Sequence, residues 1–153
     1  MTMERFVIQS SIKEIAKVEK YISDLCDEKN AFNYFATISV AVMQAVENAI
    51  THGNKSDVDK IVIIESGDYC GGIYFEIEDQ GEGFDVAQYG DLSIEGTRGD
   101  GIFMMRMLSD RLEYSNGGRK VRMEFAIRGI DATQAVERAN TLQKYFMTKQ
   151  VEA

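Results

Sequence analysis

The sequence predicts an α+β two-layer sandwich, in which a mixed, largely antiparallel sheet carries helices on one face. Two observations lead to this fold class. Strand-sized segments occur in neighbouring pairs, and each pair is joined by a short Gly-containing turn, at residues 68–71 and 116–118. Longer segments with the spacing of a helix lie around these pairs, in the order βαα-ββ-αββ-α. This order favours one sheet with helices packed against one side.

The strands are predicted from short apolar or alternating runs that are bounded by turn residues. Five segments meet this description: residues 5–9, 61–66, 73–79, 112–115 and 119–128. The helices are predicted from apolar spacing and from end signals. Four segments meet that description: residues 11–28, 32–52, 101–110 and 132–149. Ser11-Ile12-Lys13-Glu14 has the capping-box pattern that opens the first helix, and Gly53 is expected to end the second in a left-handed conformation.

Length, charge and cysteine content limit the possible classes of protein. The 153 residues suit one domain, which we place at residues 1–130, followed by an additional C-terminal helix at residues 131–153. The net charge of −8 argues against nucleic-acid binding, which depends on cations that neutralise phosphates. No apolar run approaches the roughly 20 residues of a membrane span, and no signal peptide is visible. Cys26 and Cys70 are far apart, which fits a reducing, cytoplasmic location.

Asn48 is the first candidate site residue. It lies near the end of the second predicted helix, where Gln44, Asn48 and Thr51 share one polar face. An amide oxygen suits Mg²⁺, which prefers oxygen ligands and usually shares the phosphates of its substrate. The alternative is that Asn48 only makes local hydrogen bonds near the helix end. For the single histidine, His52, the preference for a partly charged imidazole at a helix C-terminus is favoured over a catalytic or phospho-acceptor role.

Asp79 is the second candidate, because it ends an apolar strand and is followed by Gly81 and Gly83. A carboxylate in this position can accept a hydrogen bond from an exocyclic amine such as that of adenine. The two glycines allow the backbone to approach a flat ring closely and to adopt a positive φ. The alternative is an ordinary Asp-Gly turn.

Gly99-Asp100-Gly101 is the third candidate, at the start of the third predicted helix. Unpaired N–H groups and the positive end of the helix dipole favour anions at such a position. The segment is not a dinucleotide-binding fingerprint, because the third glycine is missing and no strand leads directly into it. No Gly-Lys-Ser or Gly-Lys-Thr is present to form a P-loop.

The order and spacing of these three motifs resemble the GHKL superfamily of Bergerat-fold ATPases. Asn48-Ala49-Ile50-Thr51-His52-Gly53 matches the family pattern N-A-x-x-H-G, and the resemblance covers about residues 6–128. More narrowly, the chain is similar to the small bacterial anti-sigma-factor serine kinases with a histidine-kinase-like ATPase domain. The resemblance implies the Bergerat ATP-binding fold, with ATP or ADP and Mg²⁺ as ligands. It also implies a sigma factor or a STAS-domain antagonist as partner, the antagonist being phosphorylated on a serine.

The resemblance assigns roles to the candidate residues at the base and the metal. Asn48 would carry Mg²⁺, and Asp79 would bind the adenine amine. Gly81 and Gly83 would shape the base pocket.

The resemblance also assigns the phosphate site. The phosphates would meet Gly99, Gly101 and the first amides of the following helix, including that of Ile102, beneath an ATP lid formed by residues 85–98. Residues 76–100 contain eight acidic side chains and a single basic one, Arg98. Neutralisation of ATP by a metal, or a basic surface on a protein partner, would account for this charge.

Gln44 departs from the family pattern, which places a glutamate four residues before the metal-binding asparagine as general base. An amide orients a nucleophile but cannot accept its proton at neutral pH. Glu47 is adjacent to Asn48 but rotated off the face that Gln44 and Asn48 share. Two hypotheses therefore stand: a protein-serine kinase, and a nucleotide-gated binding module that has lost phosphotransfer.

The C-terminal segment carries an apolar stripe. Its members recur every three or four residues: Ala132, Ala135, Ala139, Leu142 and Phe146. Such a seam suits either the helix of a second copy, which would give a homodimer, or packing on the helix's own domain.

Overall fold

The computed structural model describes residues 3–89, 97–127 and 132–152. The strands in this part of the chain are β1 (Glu4–Gln9), β2 (Ile61–Tyr69), β3 (Gly72–Glu78), β4 (Arg111–Ser115) and β5 (Lys120–Ala126). They form one sheet in the order β1-β2-β3-β5-β4, and all four pairings are antiparallel. The α-helices are α1 (Ile15–Glu28), α2 (Phe35–Asn48), α3 (Thr97–Leu108) and α4 (Ala132–Glu152).

The sheet has one apolar and one charged face, because side chains alternate along each strand. The buried side chains of β3 and β5 on the apolar face are Ile73, Phe75, Ile77, Val121, Met123 and Phe125. They form one core with buried residues of the helices, such as Val18, Ile38 and Met105. The predicted α+β sandwich with helices on one face is therefore confirmed. The prediction allowed a mixed sheet, whereas the described strands pair only in the antiparallel sense.

The predicted turns are found where the sequence indicated them. Cys70 and Gly71 make a two-residue turn between β2 and β3, with φ values of 26° and 82°. Residues 116–119 join β4 to β5. Ser11 caps a short 3-10 turn before α1 by accepting the N–H of Lys13 at 3.4 Å.

The end of the second helix and the start of the third differ from the prediction. α2 ends at Asn48 and continues as a π-helix over Ala49–Gly53. Gly53 does not have a positive φ, so the predicted left-handed stop is wrong. α3 begins at Thr97 rather than at Gly101, because the polar residues that open it gave no apolar period to detect. A short 3-10 helix covers Val86–Tyr89 of the predicted lid, and residues 90–96 of that lid lie outside the described ones.

An ion pair attaches α4 to the sheet. Arg138 is 7% exposed, and its guanidinium donates to Asp110 Oδ1 at 2.9 Å. Asp110 lies just after the last turn of α3. Its Oδ2 accepts the N–H of Ala126, the last residue of β5, at 2.6 Å. Because the guanidinium of Arg138 is buried and needs a charged partner, the pair holds α4 against the ends of α3 and β5.

The apolar stripe of α4 is only partly covered. Leu142 packs against the core, whereas Ala135, Ala139 and Phe146 are exposed. The side chain of Ala132 lies outside the described ones. A homodimer contact through this stripe therefore stays a prediction. No helix in the described part of the chain is long and apolar enough to cross a membrane.

Candidate functional site

A narrow pocket lies where α2, β3 and the β4–β5 hairpin meet. Its lining residues are Ala45, Asn48, Ala49, Ile77, Asp79, Phe84, Tyr114, Gly118, Arg119 and Val121. Aliphatic and aromatic side chains make up most of the wall. Asn48 and Asp79, which come from two separate sequence motifs, thus line one pocket, whose wall is mainly apolar with a few polar groups.

Backbone hydrogen bonds hold Asp79 in place just after the end of β3. Its N–H donates to the carbonyl oxygen of Arg119 at 2.9 Å, which continues the pairing of β3 with β5. Its Oδ1 accepts the N–H of Gly81 at 2.8 Å. The carboxylate therefore has a fixed direction in the pocket, as recognition of a ligand donor requires.

Gly53 and Gly81 allow the π-helix after α2 to lie against the loop that contains Asp79. A Cβ on Gly53 would stand no more than 2.8 Å from the carboxyl carbon and both carboxyl oxygens of Asp79. A Cβ on Gly81 would stand 2.6 Å from the carbonyl carbon of Gly53. Both positions therefore need glycine for space. This is the reason for Gly53, where the sequence had suggested a left-handed helix end.

Gly83 and Phe84 join the same loop to the β4–β5 hairpin. Gly83 has a φ of 81°, in the left-handed region that favours glycine. The N–H of Phe84 donates to the carbonyl oxygen of Gly117 at 2.9 Å. The Phe84 ring meets that of Tyr114 edge-on, with centroids 5.3 Å apart. The loop after Asp79 is thus held by the π-helix through Gly81 and by the β4–β5 hairpin through Phe84. It closes one end of the pocket.

Asn48 and Gln44 lie together beside α3. A Cβ on Gly101 would stand 2.9 Å from Asn48 Nδ2, 3.2 Å from Gln44 Oε1 and 3.3 Å from Asn48 Oδ1. Asn48 Nδ2 is buried and has no hydrogen-bond partner among the described residues. A buried amide donor without a partner is unfavourable. A ligand that accepts from this amide, such as a phosphate oxygen, would remove that cost.

Mg²⁺ fits this position through a single protein ligand. Asn48 Oδ1 is an oxygen donor at the pocket wall, and Mg²⁺ commonly takes one or two protein ligands and completes its shell with phosphates and water. Residues 3–89, 97–127 and 132–152 contain no cluster of three or more His, Cys, Asp or Glu side chains that could hold a metal. A metal at Asn48 would therefore depend on a phosphate bound with it.

The other polar residues of this region lie away from the pocket. Glu47 lines a separate groove between α1, α2 and α4, together with Phe146. Thr51 is exposed, and its hydroxyl donates to the carbonyl oxygen of Glu47 at 2.7 Å. The predicted polar face therefore keeps Gln44 and Asn48 but loses Thr51, because a π-helix changes the rotation per residue after Asn48.

The three residues that the sequence assigns to the phosphates all lie in α3. The N–H groups without a partner inside the helix are those of its first turn, from Thr97 to about Asp100. Gly99 is in this turn, whereas Gly101 and Ile102 follow it, and the Ile102 side chain is 1% exposed. Phosphate binding by Gly99, Gly101 and Ile102 stays a prediction.

Part of the acidic charge that the sequence placed at the lid belongs to the outer face of the sheet. Glu76 pairs with Lys120 at 3.4 Å and with Arg122 at 3.5 Å. Glu78 accepts a hydrogen bond from Asn116 Nδ2 at 2.7 Å. These two carboxylates therefore add nothing to the charge facing a ligand in the pocket. The side chains of residues 88–100 lie outside the described ones.

Sequence reasoning missed most of the pocket wall. The wall residues that were not predicted as site residues are Ala45, Ala49, Ile77, Phe84, Tyr114, Gly118, Arg119 and Val121. Tyr114 and Val121 are cross-strand partners in the β4–β5 hairpin, so strand alternation indicates that they face the helices. That signal does not distinguish a core position from a pocket position, because both face the same side of the sheet.

Comparison with protein families adds independent support for a nucleotide site. The family described as histidine kinase-like ATPase domain matches residues 8–125. The chain belongs to this family. The predicted resemblance to GHKL-type ATPases is therefore confirmed. Comparison with curated proteins gives no match.

The matched part of this histidine kinase-like ATPase domain contains the whole pocket wall and ends before α4. Membership in the family implies nucleotide binding by an ATPase or kinase-like regulatory domain.

Proposed function

We propose that this ATPase domain binds ATP or ADP with Mg²⁺ and acts as a regulator of the anti-sigma-factor, serine-protein-kinase type. Its partner would be a sigma factor, a STAS-domain antagonist or both. The nucleotide part rests on one observation: Asp79 and Asn48 line the same pocket, and the start of α3 lies beside Asn48. The partner part rests on the resemblance of residues 48–53 to the anti-sigma kinases.

In the proposed complex, adenine lies in the apolar part of the pocket, against Ile77 and Val121. Its exocyclic amine donates to the carboxylate of Asp79, which the N–H of Gly81 holds in position. A hydrogen bond to a charged group contributes about 1.5–3 kcal/mol. Guanine presents a carbonyl oxygen where adenine has its amine, so the carboxylate disfavours guanine.

Asn48 acts at the phosphate end of the proposed complex. Its Oδ1 binds Mg²⁺, and its buried Nδ2 donates to a phosphate oxygen. The metal, when bound, neutralises phosphate charge. The unpaired N–H groups of α3, from Thr97 onward, add a second source of positive potential.

Phosphotransfer to a partner serine requires a place for one proton. The serine Oγ attacks the γ-phosphorus, the bond from that phosphorus to the bridging oxygen breaks, and ADP leaves. The hydroxyl proton must pass to a base or to solvent. Gln44 lies at the position where the family has its base, and an amide does not take this proton.

A second candidate function follows from Gln44: a nucleotide-gated protein-binding module without phosphotransfer. Glu47 is the nearest carboxylate in the sequence, and it lines the separate groove instead of the nucleotide pocket. In this candidate, the bound nucleotide sets the conformation of the lid at residues 85–98, and the lid sets the affinity for the partner.

Incubation of the purified protein with γ-labelled Mg·ATP and candidate partners separates these functions. Label on a serine of a STAS-domain protein, lost with Asn48→Ala, supports the kinase. Nucleotide-dependent binding of a sigma factor or a STAS-domain protein without label supports the binding module. If no sigma factor or STAS-domain protein from the same cell is labelled or bound in a nucleotide-dependent way, the proposal is wrong.

A further inference from the structure

Asn54 joins separate parts of the chain through its side chain. It follows Gly53 directly and is 1% exposed. Its Nδ2 donates to Ser10 Oγ at 2.8 Å and to the carbonyl oxygen of Ile61 at 2.9 Å. Its Oδ1 accepts the backbone N–H of Gln80 at 2.8 Å. One buried amide therefore ties the end of β1, the start of β2 and the loop after β3 to the π-helix that follows α2.

Gln80 is the member of this network that directly follows Asp79 in the chain. It lies between Asp79 and Gly81, whose N–H holds the carboxylate of Asp79. Asn54 holds the main chain of Gln80, and the N–H of Ile61 donates to Gln80 Oε1 at 2.9 Å. The peptide unit between Asp79 and Gln80 is therefore held in place by its hydrogen bond to the side chain of Asn54.

We propose that Asn54 is a positioning residue for base recognition. Through the N–H of Gln80, it keeps the carboxylate of Asp79 in the direction that reads an exocyclic amine. This inference rests on the proposed binding of adenine nucleotide and names the residue that sets its base specificity. Without the Asn54 side chain, the N–H of Gln80 loses its acceptor, and the loop after Asp79 gains freedom to rotate.

Ser10 provides a matched control, because it belongs to the same network but does not touch the loop. It is 1% exposed, and its hydroxyl accepts from Asn54 and donates to the carbonyl oxygen of Lys60 at 2.6 Å. Ser10→Ala therefore removes buried hydrogen bonds and lowers Tm, while the bond between Asn54 and Gln80 stays intact. A structural role alone predicts that both variants behave alike towards nucleotide. A positioning role predicts that only Asn54→Ala loses base discrimination.

The test compares Kd for Mg·ATP with Kd for the Mg²⁺ complex of purine riboside triphosphate, which lacks only the 6-amino group. Calorimetric titration of wild type should show a preference for ATP of at least about tenfold, as one bond to a carboxylate provides. Ser10→Ala should keep this preference, and Asn54→Ala should reduce it to about threefold or less. An unchanged preference in folded Asn54→Ala, or an equal loss in Ser10→Ala, overturns the inference.

Hydrogen exchange in wild type provides a measure that needs no folded variant. Coupling between two interactions is reciprocal, so amine binding at Asp79 must strengthen the bond between Gln80 and Asn54. At saturation, ATP should slow exchange of the Gln80 N–H at least about fivefold more than purine riboside triphosphate does. If both nucleotides slow exchange of the Gln80 N–H equally, the inference is wrong, but the proposed function is not affected. Absence of binding of either nucleotide overturns the proposed function, and the inference with it.

Discussion

Gly53 and the carboxylate of Asp79 lie so close that a Cβ on Gly53 would stand no more than 2.8 Å from either carboxyl oxygen. The two residues belong to motifs that are separate in the sequence. Their contact brings the end of the π-helix beside the carboxylate that we assign to base recognition. The glycine that closes the N-A-x-x-H-G pattern is therefore explained by the space that this carboxylate occupies.

Gly53→Ala should weaken Mg·ATP binding at least about tenfold, because the added methyl group displaces the carboxylate of Asp79. Overpacking should also lower the free energy of unfolding by about 1–3 kcal/mol. Calorimetric titration and denaturant unfolding measure the two effects. Gly71→Ala is the control, since Gly71 has a φ of 82° but no atom within 4 Å of a Cβ there. Gly71→Ala should lower the free energy of unfolding and leave Kd for Mg·ATP unchanged. An equal rise in Kd for both variants would contradict the steric explanation.

Mg·ATP at about 100 times its Kd should raise the free energy of unfolding by about 2.7 kcal/mol. Asp79→Ala should remove most of this gain, because the adenine amine then has no acceptor. Thermal melting with and without ligand measures the change. Mg·tripolyphosphate is the control ligand, because it lacks a base and should affect wild type and variant alike. Wild-type melting curves that overlay with and without millimolar Mg·ATP would count against the nucleotide site.

Gln44→Glu should raise ATP hydrolysis or partner phosphorylation at least about tenfold, with little change in Kd for Mg·ATP. A positioned base typically contributes 10²- to 10⁴-fold to the rate. The substitution is nearly isosteric, and the Oε1 of Gln44 lies 3.2 Å from where a Cβ of Gly101 would stand, beside Asn48. Single-turnover kinetics with a cognate STAS-domain partner measure the rate.

Gln44→Asn is the control for the previous prediction, because it also changes this side chain but adds no carboxylate. It should not raise the rate. Rapid partner phosphorylation by wild type, unchanged in Gln44→Glu, would show that another group accepts the proton and that the binding-module candidate is wrong.

Ala139→Glu should convert a dimer to a monomer if the exposed stripe of α4 forms a homodimer contact. Ala139 and Phe146 are exposed on this stripe, and a buried carboxylate at an interface without a partner is costly. Sedimentation equilibrium measures the mass. Asn140→Glu is the control, since Asn140 is exposed on the same helix but outside the stripe. A wild-type protein that sediments as a monomer at tens of micromolar would exclude the contact at those concentrations.

The stability of the protein should fall between pH 9 and pH 11 in a way that depends on Cys26. Burial, with a smaller contribution from the charge of Asp27, raises the pKa of Cys26 from 9.0 to about 11. The unfolded chain therefore releases this proton first, so the stability contribution is complete below pH 9 and is lost as the pH rises towards 11. At pH 10.5 the loss should be about 2 kcal/mol relative to pH 8.

Cys26→Ala is the control for this pH dependence. Its free energy of unfolding is lower at pH 8 because of the cavity, but it should fall less steeply with pH. The pKa of Tyr21 is also raised, to about 12, mainly by burial, and it contributes the same slope to both proteins. Denaturant unfolding at the two pH values measures the difference. Parallel slopes in wild type and Cys26→Ala would contradict the assignment to Cys26.

The fold could be predicted from the sequence, and so could Asn48 and Asp79 as candidate site residues, because all of these depend on local signals. Alternation along β3 and the turn at Cys70-Gly71 define paired strands within a short stretch of chain. Asn48 ends an amphipathic helix and Asp79 follows an apolar strand, so both could be recognised from their immediate neighbours.

The residues that connect these site residues were not predictable from local patterns. The partners of Asn54 lie at Ser10, Ile61 and Gln80, and nothing in the neighbourhood of Asn54 indicates any of them. Local patterns predict a left-handed helix end at Gly53, because that is the commonest reason for a glycine after a helix. In the structure, a side chain at position 53 is excluded by the carboxylate of Asp79, which follows β3.

The pocket has two kinds of wall, and only one of them can be reshaped by substitution. The wall at Asp79 cannot be enlarged, because Gly53 and Gly81, which pack around this carboxylate, already have the smallest possible residue. Other parts of the wall are formed by side chains such as that of Val121. Shortening Val121 to alanine would open room in that part of the wall alone, for an ATP analogue with a bulky group on its base that the natural pocket is too narrow to admit. A version of this protein selective for such an analogue could then be followed in a cell that contains many other ATP-binding proteins.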